Sequence, residues 1–138
     1  MNNMLSACGD YKELESIRDY IRTQANISGL SEDKVNNITL AVDEACSNLI
    51  HYSMNFDKNQ QLNICAKTES NKFIVTIQDK GKSFDPLNVQ NPNMEKYFKE
   101  MKHGGLGIFI IKKIVDNIEY IAADDINNFN SLILTMNI

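Results

Sequence analysis

The sequence has few cysteines, no long apolar run and no excess of basic residues. Its three cysteines are odd in number and far apart, so we expect neither a disulfide framework nor a paired-cysteine metal site. No apolar segment approaches the length of a membrane span, and the polar N-terminus lacks a basic-then-apolar signal pattern. A net charge of −4 gives no general reason to bind nucleic acid or an anionic membrane. The expected location is therefore the cytoplasm.

The composition is that of an ordinary globular protein. With 138 residues, 43% apolar and 23% charged, the chain is expected to form one domain over residues 1–138. The order of predicted elements is helix, helix, strand, strand, a long irregular segment, helix, strand, strand. This order predicts an α+β fold, a two-layer sandwich in which a mostly antiparallel mixed sheet packs on three helices.

Capping and periodicity place two helices first. Asp10 is a candidate cap for a helix over about 11–28, and Gly29 is a candidate stop. Ser31 is expected to cap a second helix that ends near Asn55. Residues 1–9 are compatible with either an edge strand or a loose arm.

Alternating apolar residues predict strands at 62–67 and 73–78, joined by a turn at Ser70-Asn71. Closing strands are expected at Ile118–Ala123 and Leu132–Met136. Between the two strand pairs, residues 80–103 contain both prolines and several asparagines, and a segment of this kind is typical of a functional lid or of disorder.

The second helix carries an acid and an amide four residues apart. Glu44 and Asn48 therefore leave the same side of the helix, one turn apart. An amide oxygen can ligate a hard cation such as Mg²⁺, and a carboxylate can accept the proton of an attacking hydroxyl. The plainer alternative is a solvated polar stripe, which surface helices often carry.

Two glycine-containing segments follow. Gly104, Gly105 and Gly107, with Leu106 between them, open directly into an apolar helix, where exposed N–H groups favour an anion such as a phosphate. The segment is neither a Walker A loop nor a dinucleotide fingerprint, and a glycine-rich tight turn is the alternative.

The other segment is DKGKSFDP, which begins at Asp79 where a predicted strand ends. Asp79 can accept a hydrogen bond from the exocyclic amine of a base, and Gly81 leaves room for a flat ring. A solvated turn is the alternative explanation.

Taken together, these motifs resemble the ATPase superfamily shared by DNA gyrase, heat-shock chaperones, mismatch-repair ATPases and sensor histidine kinases. The segment DEACSN matches its N-box, DKGKSFDP its first glycine box and GGLGIFIIKKIVD its second. Within that superfamily, the forms EAC-x-N and D-x-G-x-x-F-D-P are most similar to the bacterial anti-sigma factor serine/threonine kinases. The resemblance implies a histidine-kinase-like ATPase domain with a lid at about 80–103.

The resemblance also implies a role for each motif residue. Asn48 would ligate Mg²⁺ that bridges the phosphates of ATP, and Glu44 would be the general base. Asp79 would hydrogen-bond the adenine amine, with Gly81 lining that pocket. The phosphates would be wrapped by backbone N–H groups of the second glycine box, Gly104, Gly105, Leu106 and Gly107. Near the C-terminus, Ser131 would contact the nucleotide through its hydroxyl.

Three positions depart from the pattern of these kinases. Tyr52 stands where they commonly have His, Lys102-His103 precede the glycines where they often have Arg, and Asn130-Ser131 replace a Gly-Thr pair. The departures leave two functions open. One is an ATP-dependent kinase that phosphorylates an anti-anti-sigma factor, sequesters a sigma factor and forms a homodimer, as the resemblance implies. The other is an ATP-gated binding switch without phosphotransfer. A histidine kinase fragment is a third and weaker alternative.

Overall fold

The computed structural model describes residues 4–83 and 106–138. Five strands, three α-helices and two short helical turns make up this part of the chain. In chain order they are β1 (Met4–Cys8), a 3₁₀ turn (Tyr11–Glu13), α1 (Leu14–Ser28), α2 (Glu32–Asn48), a π-helical turn (Leu49–Ser53), β2 (Gln61–Glu69), β3 (Lys72–Asp79), α3 (Leu106–Ile114), β4 (Asn117–Ile121) and β5 (Asn130–Asn137).

The five strands form one sheet in the order β1-β2-β3-β5-β4, and every described pair is antiparallel. The predicted α+β class with three helices is confirmed, and the N-terminal residues supply an edge strand. Ser70 and Asn71 both have positive φ, 52° and 60°, which fits the tight turn predicted for the β2–β3 hairpin. Strand β4 begins one residue and ends two residues earlier than predicted, and β5 extends two residues before and one residue after its predicted bounds.

One face of the sheet packs against the helices. Alternate residues of the central strands point to this inner face, as period-two burial requires. They are Leu62, Ile64, Ala66, Phe73, Val75, Ile77, Leu132, Leu134 and Met136. The helices meet them with apolar stripes at three- and four-residue spacing, including Ile17, Ile21, Ile38, Val42 and Ile111.

The helix ends follow the capping residues. The Ser31 hydroxyl accepts a hydrogen bond from the Lys34 N–H at 3.3 Å, and Gly29 ends α1 with φ of 92°, as predicted. The α-helical part of the second helix ends at Asn48, short of the predicted end near Asn55. A π-helical turn follows, in which the Met54 N–H donates to the Leu49 carbonyl at 2.9 Å.

Only the first residues of the predicted lid are described; the others, with Gly104 and Gly105, lie outside the described residues. In the described ranges, no helix is long and apolar enough to cross a membrane.

Candidate functional site

Glu44 lies in the last turns of α2 and is half-buried. Burial, and secondly the charge of the neighbouring Asp43, raise the pKa of the Glu44 carboxyl. Asp43 itself is bound by Arg18 of α1, whose Nη1 donates to Oδ1 at 2.8 Å. A raised pKa brings a carboxylate closer to the working range of a general base.

Asn48 is the last residue of α2. Its Nδ2 is buried and has no hydrogen-bond partner among the atoms of the described residues. Burying an amide group without a partner is costly, so such a group calls for an explanation. A ligand atom that accepts a hydrogen bond from Nδ2 is one explanation, and the oxygen of the same amide is of the type that suits Mg²⁺. Residues 4–83 and 106–138 contain no cluster of three His, Cys, Asp or Glu side chains that could hold a metal.

Asp79 is the last residue of β3 and is 1% exposed. Its Oδ1 accepts two hydrogen bonds, from Asn130 Nδ2 at 2.8 Å and from the Gly81 N–H at 3.1 Å. Its Oδ2 is buried without a hydrogen-bond partner in the described part of the chain. Burial raises the pKa of Asp79, and the hydrogen bonds of Asn130 and Gly81, with the nearby Ser53, partly offset the rise. One carboxylate oxygen is thus held in place, and the other is a buried acceptor that no donor of the described residues uses.

The loop after β3 is fastened to the π-helical turn after α2. The Lys82 N–H donates to the Ser53 carbonyl at 2.9 Å, and the Ser53 hydroxyl donates back to the Lys82 carbonyl at 2.8 Å. A Cβ added at Gly81 would overlap the carbonyl group of Ser53. Glycine at this position is therefore required by close backbone contact. Through this contact the chain segment that carries Glu44 and Asn48 is joined to the one that carries Asp79.

Helix α3 begins at Leu106 and packs against α2, so the backbone of Leu106 and Gly107 belongs to the first turn of a helix beside the one with Glu44 and Asn48. The N–H groups of such a turn are the ones that bind anions.

Ser131 is not brought together with Asp79. In the sheet register Ser131 lies opposite Gln78, and its hydroxyl accepts a hydrogen bond from Gln78 Nε2 at 3.2 Å. Neighbouring residues of a strand point to opposite faces, so Ser131 faces away from the helices. The residue opposite Asp79 is Asn130. The alternation of Leu132, Leu134 and Met136 is enough to place Asn130 on the inner face. Its pairing with Asp79 depends on the register of two strands that are far apart in the chain, which local patterns do not give.

Sequence reasoning missed Ser53, and of the Asn130-Ser131 pair it selected Ser131 as the residue in contact with the nucleotide. Ser53 carried no motif signal, because the apolar period of the second helix continues through Leu49 and Ile50 and hides the change to a π-helical turn. Such turns are frequent at functional sites.

The chain is similar to known proteins and solved structures. Residues 9–136 match the family model described as histidine kinase-like ATPase domain. The chain is similar to "Serine-protein kinase RsbW" of Oceanobacillus iheyensis, with 25% identity over 99 residues that make up 69% of this chain and 63% of that protein. It is also similar to the protein of the same name from Bacillus licheniformis, with 24% identity over 127 residues, 83% of this chain and 79% of that protein.

The chain therefore spans less than two thirds of the length of the Oceanobacillus relative. Among solved structures, the chain resembles one described as the SiaB-SiaC complex from Pseudomonas aeruginosa, with a TM-score of 0.68 and 11% identity, covering 96% of this chain and 88% of that one. At that identity the likeness concerns the fold alone.

Proposed function

The chain belongs to the histidine kinase-like ATPase domain family, and we propose that it is an ATP-dependent protein serine/threonine kinase. Its substrate is a small antagonist protein of the anti-anti-sigma type, and the chain acts as an anti-sigma factor. One observation carries the proposal. The end of α2, with a half-buried acid and an amide whose Nδ2 has no hydrogen-bond partner in the described residues, is joined to the end of β3, where Oδ2 of Asp79 is likewise buried and unpartnered among those residues.

The residues divide the work of phosphoryl transfer. Asp79 Oδ2 accepts a hydrogen bond from the amine of adenine, and the backbone at Gly104, Gly105, Leu106 and Gly107 binds phosphate oxygens. Asn48 would hold Mg²⁺ through its amide oxygen, and the ion would neutralise phosphate charge. The hydroxyl oxygen of the protein substrate attacks the γ-phosphorus, the bond between this phosphorus and the β,γ-bridging oxygen breaks, and ADP leaves. Glu44 accepts the hydroxyl proton.

The proposed identity of the partner rests on the names of similar proteins. The similar proteins bear the name serine-protein kinase, which supports a hydroxyl substrate. We propose a protein substrate, with sequestration of a sigma factor by a homodimer as a second role. No nucleic acid or membrane takes part in this function.

An ATP-gated switch without phosphotransfer is the second candidate. Tyr52 stands where the resembled kinases commonly have His, and its ring stacks on that of His51 with centroids 4.2 Å apart. In this function, ATP binding alone would change the affinity for a partner.

Transfer of radiolabel from γ-labelled ATP to candidate partner proteins separates the two functions. The wild type is expected to label a serine or threonine of a partner, while Glu44→Gln is expected to bind ATP and transfer little label. Glu119→Gln, the same change at an exposed strand position, is the matched control and should transfer normally. Transfer by Glu44→Gln at the wild-type rate would remove Glu44 as the base, and binding without transfer by the wild type would favour the switch.

A further inference from the structure

Asn130 is the most completely bonded side chain of the site. It is the first residue of β5 and is 1% exposed. Its Nδ2 donates to Asp79 Oδ1 at 2.8 Å and to the Gly81 carbonyl at 3.0 Å. Its Oδ1 accepts from the Ala123 N–H and from the Ser83 hydroxyl, both at 2.9 Å. An amide can donate two hydrogen bonds and accept two, so its full capacity is used.

The partners of Asn130 fix which way its amide faces. Both groups on the nitrogen side are pure acceptors, a carboxylate and a carbonyl, and both groups on the oxygen side are donors. Reversing the amide would set oxygen against oxygen at Asp79 and hydrogen against hydrogen at Ala123. The side chain is therefore held in one orientation, with its N–H group aimed at one oxygen of the carboxylate.

We propose that Asn130 is a positioning residue that determines base specificity, an inference that rests on the proposed function. By holding Oδ1 of Asp79, together with the Gly81 N–H, it fixes the carboxylate plane. Oδ2, which is buried and has no hydrogen-bond partner in the described residues, then remains to accept from a purine that has an amine at carbon 6. The same amide joins the loop after β3 to Ala123, which precedes β5.

The charge of Asp79 depends on the same contact. The groups placed against its carboxyl are Asn130, the Gly81 N–H and Ser53, and all three are neutral. The hydrogen bond from Asn130 favours the ionised form, against burial, which raises the pKa. Without that bond the carboxyl takes up a proton at higher pH. The oxygen that carries the proton can then no longer accept a hydrogen bond from an amine.

Two variants test the proposal, Asn130→Thr and Asn130→Val, whose new side chains are isosteric with each other. Both side chains are β-branched and suit a strand, but only threonine retains a donor for Asp79. The readout is the ratio of dissociation constants for purine riboside triphosphate, which lacks the amine, and for ATP. A hydrogen bond to a charged acceptor makes this ratio about tenfold or more in the wild type. We expect Asn130→Thr to keep most of the ratio, because threonine still donates to Asp79. Asn130→Val has no such donor and should reduce the ratio to about one.

A variant that merely loosens the fold would weaken both nucleotides and leave the ratio unchanged. Asn128→Val, an exposed position in the same connection, is the control for the substitution itself. If the wild type shows a high ratio and Asn130→Val keeps it, the role of Asn130 is refuted and the proposed function stands. If the wild type itself fails to discriminate or does not bind ATP, the proposed function fails with it. A second readout is pH: the loss of ATP affinity on acidification should begin at higher pH in Asn130→Val than in Asn130→Thr.

Discussion

Replacing Asp79 by asparagine should reverse the base preference of the site. The Gly81 N–H and Asn130 Nδ2 both donate to the Oδ1 position, so the oxygen of the new amide is held there. Its NH₂ group then takes the place of Oδ2, and a donor replaces the open acceptor. ATP loses a hydrogen bond to a charged group, worth about 1.5–3 kcal/mol, which corresponds to a ten- to hundredfold weaker affinity.

The same change should favour inosine triphosphate, whose carbonyl at carbon 6 can accept from the new NH₂ group. Isothermal titration with ATP and inosine triphosphate measures both affinities. We expect wild type to prefer ATP and Asp79→Asn to prefer inosine triphosphate. Asp125→Asn removes the same charge at an exposed position and should keep the wild-type preference.

Stability separates a base-binding role of Asp79 from a structural one. Burial raises the pKa of Asp79 in the folded state above its unfolded value, so the folded protein binds the proton more tightly. The contribution of Asp79 to stability is therefore fully present below the unfolded pKa and is lost as pH rises through the folded pKa. At pH 7 the ionised carboxylate costs stability, and the neutral amide avoids this cost. For Asp79→Asn at pH 7 we therefore expect the free energy of unfolding in urea to change by less than about 1 kcal/mol, because the avoided cost offsets the weaker hydrogen bonds to a neutral amide. A large loss of stability, or an unchanged preference for ATP, would refute the assignment.

Three further variants test the packing and the electrostatics around the site. Gly81→Ala should lower the free energy of unfolding by about 1–3 kcal/mol, because the added Cβ overlaps the neighbouring backbone; urea unfolding measures this, and wild-type stability would contradict it. Asp43→Asn removes one cause of the raised pKa of Glu44, so the acidic limb of the pH profile of phosphotransfer should move to lower pH, and an unmoved limb would count against Glu44 as the base. Phe73→Ala empties a fully buried position and should cost about 3–5 kcal/mol in the same unfolding assay, with a loss below about 1 kcal/mol contradicting its core role.

Local patterns predicted most of the fold. The alternation in β2 and β3 gave the inner face of the sheet, and Gly29 and Ser31 gave the helix boundary, because these signals depend on neighbouring residues only. The end of the second helix was predicted too late, since its apolar period continues into the π-helical turn. That turn contacts the loop after β3, about thirty residues further along the chain, and local patterns do not report a contact at that distance.

The residues of the candidate site were likewise predicted where local motifs mark them and not where strand register decides. Glu44, Asn48 and Asp79 were marked by motif spacing, and the structure gives each a buried or half-buried environment. The partner of Asp79 could not be predicted, because a shift of one residue in strand register exchanges Asn130 for Ser131 and turns the side chain to the other face. Register between β3 and β5 is set by packing over the whole sheet.

The most direct test of the nucleotide site is a calorimetric titration of the purified chain with ATP, with and without Mg²⁺, for the wild type and Asn48→Ala. Asn37→Ala, an exposed position on the same helix, is the matched control. We expect Mg²⁺ to strengthen ATP binding by the wild type and by Asn37→Ala. It should have little effect on Asn48→Ala, because this variant lacks the amide oxygen that we propose holds the cation. An equal Mg²⁺ effect in all three proteins, or no ATP binding by the wild type, would contradict a nucleotide site between the ends of α2 and β3.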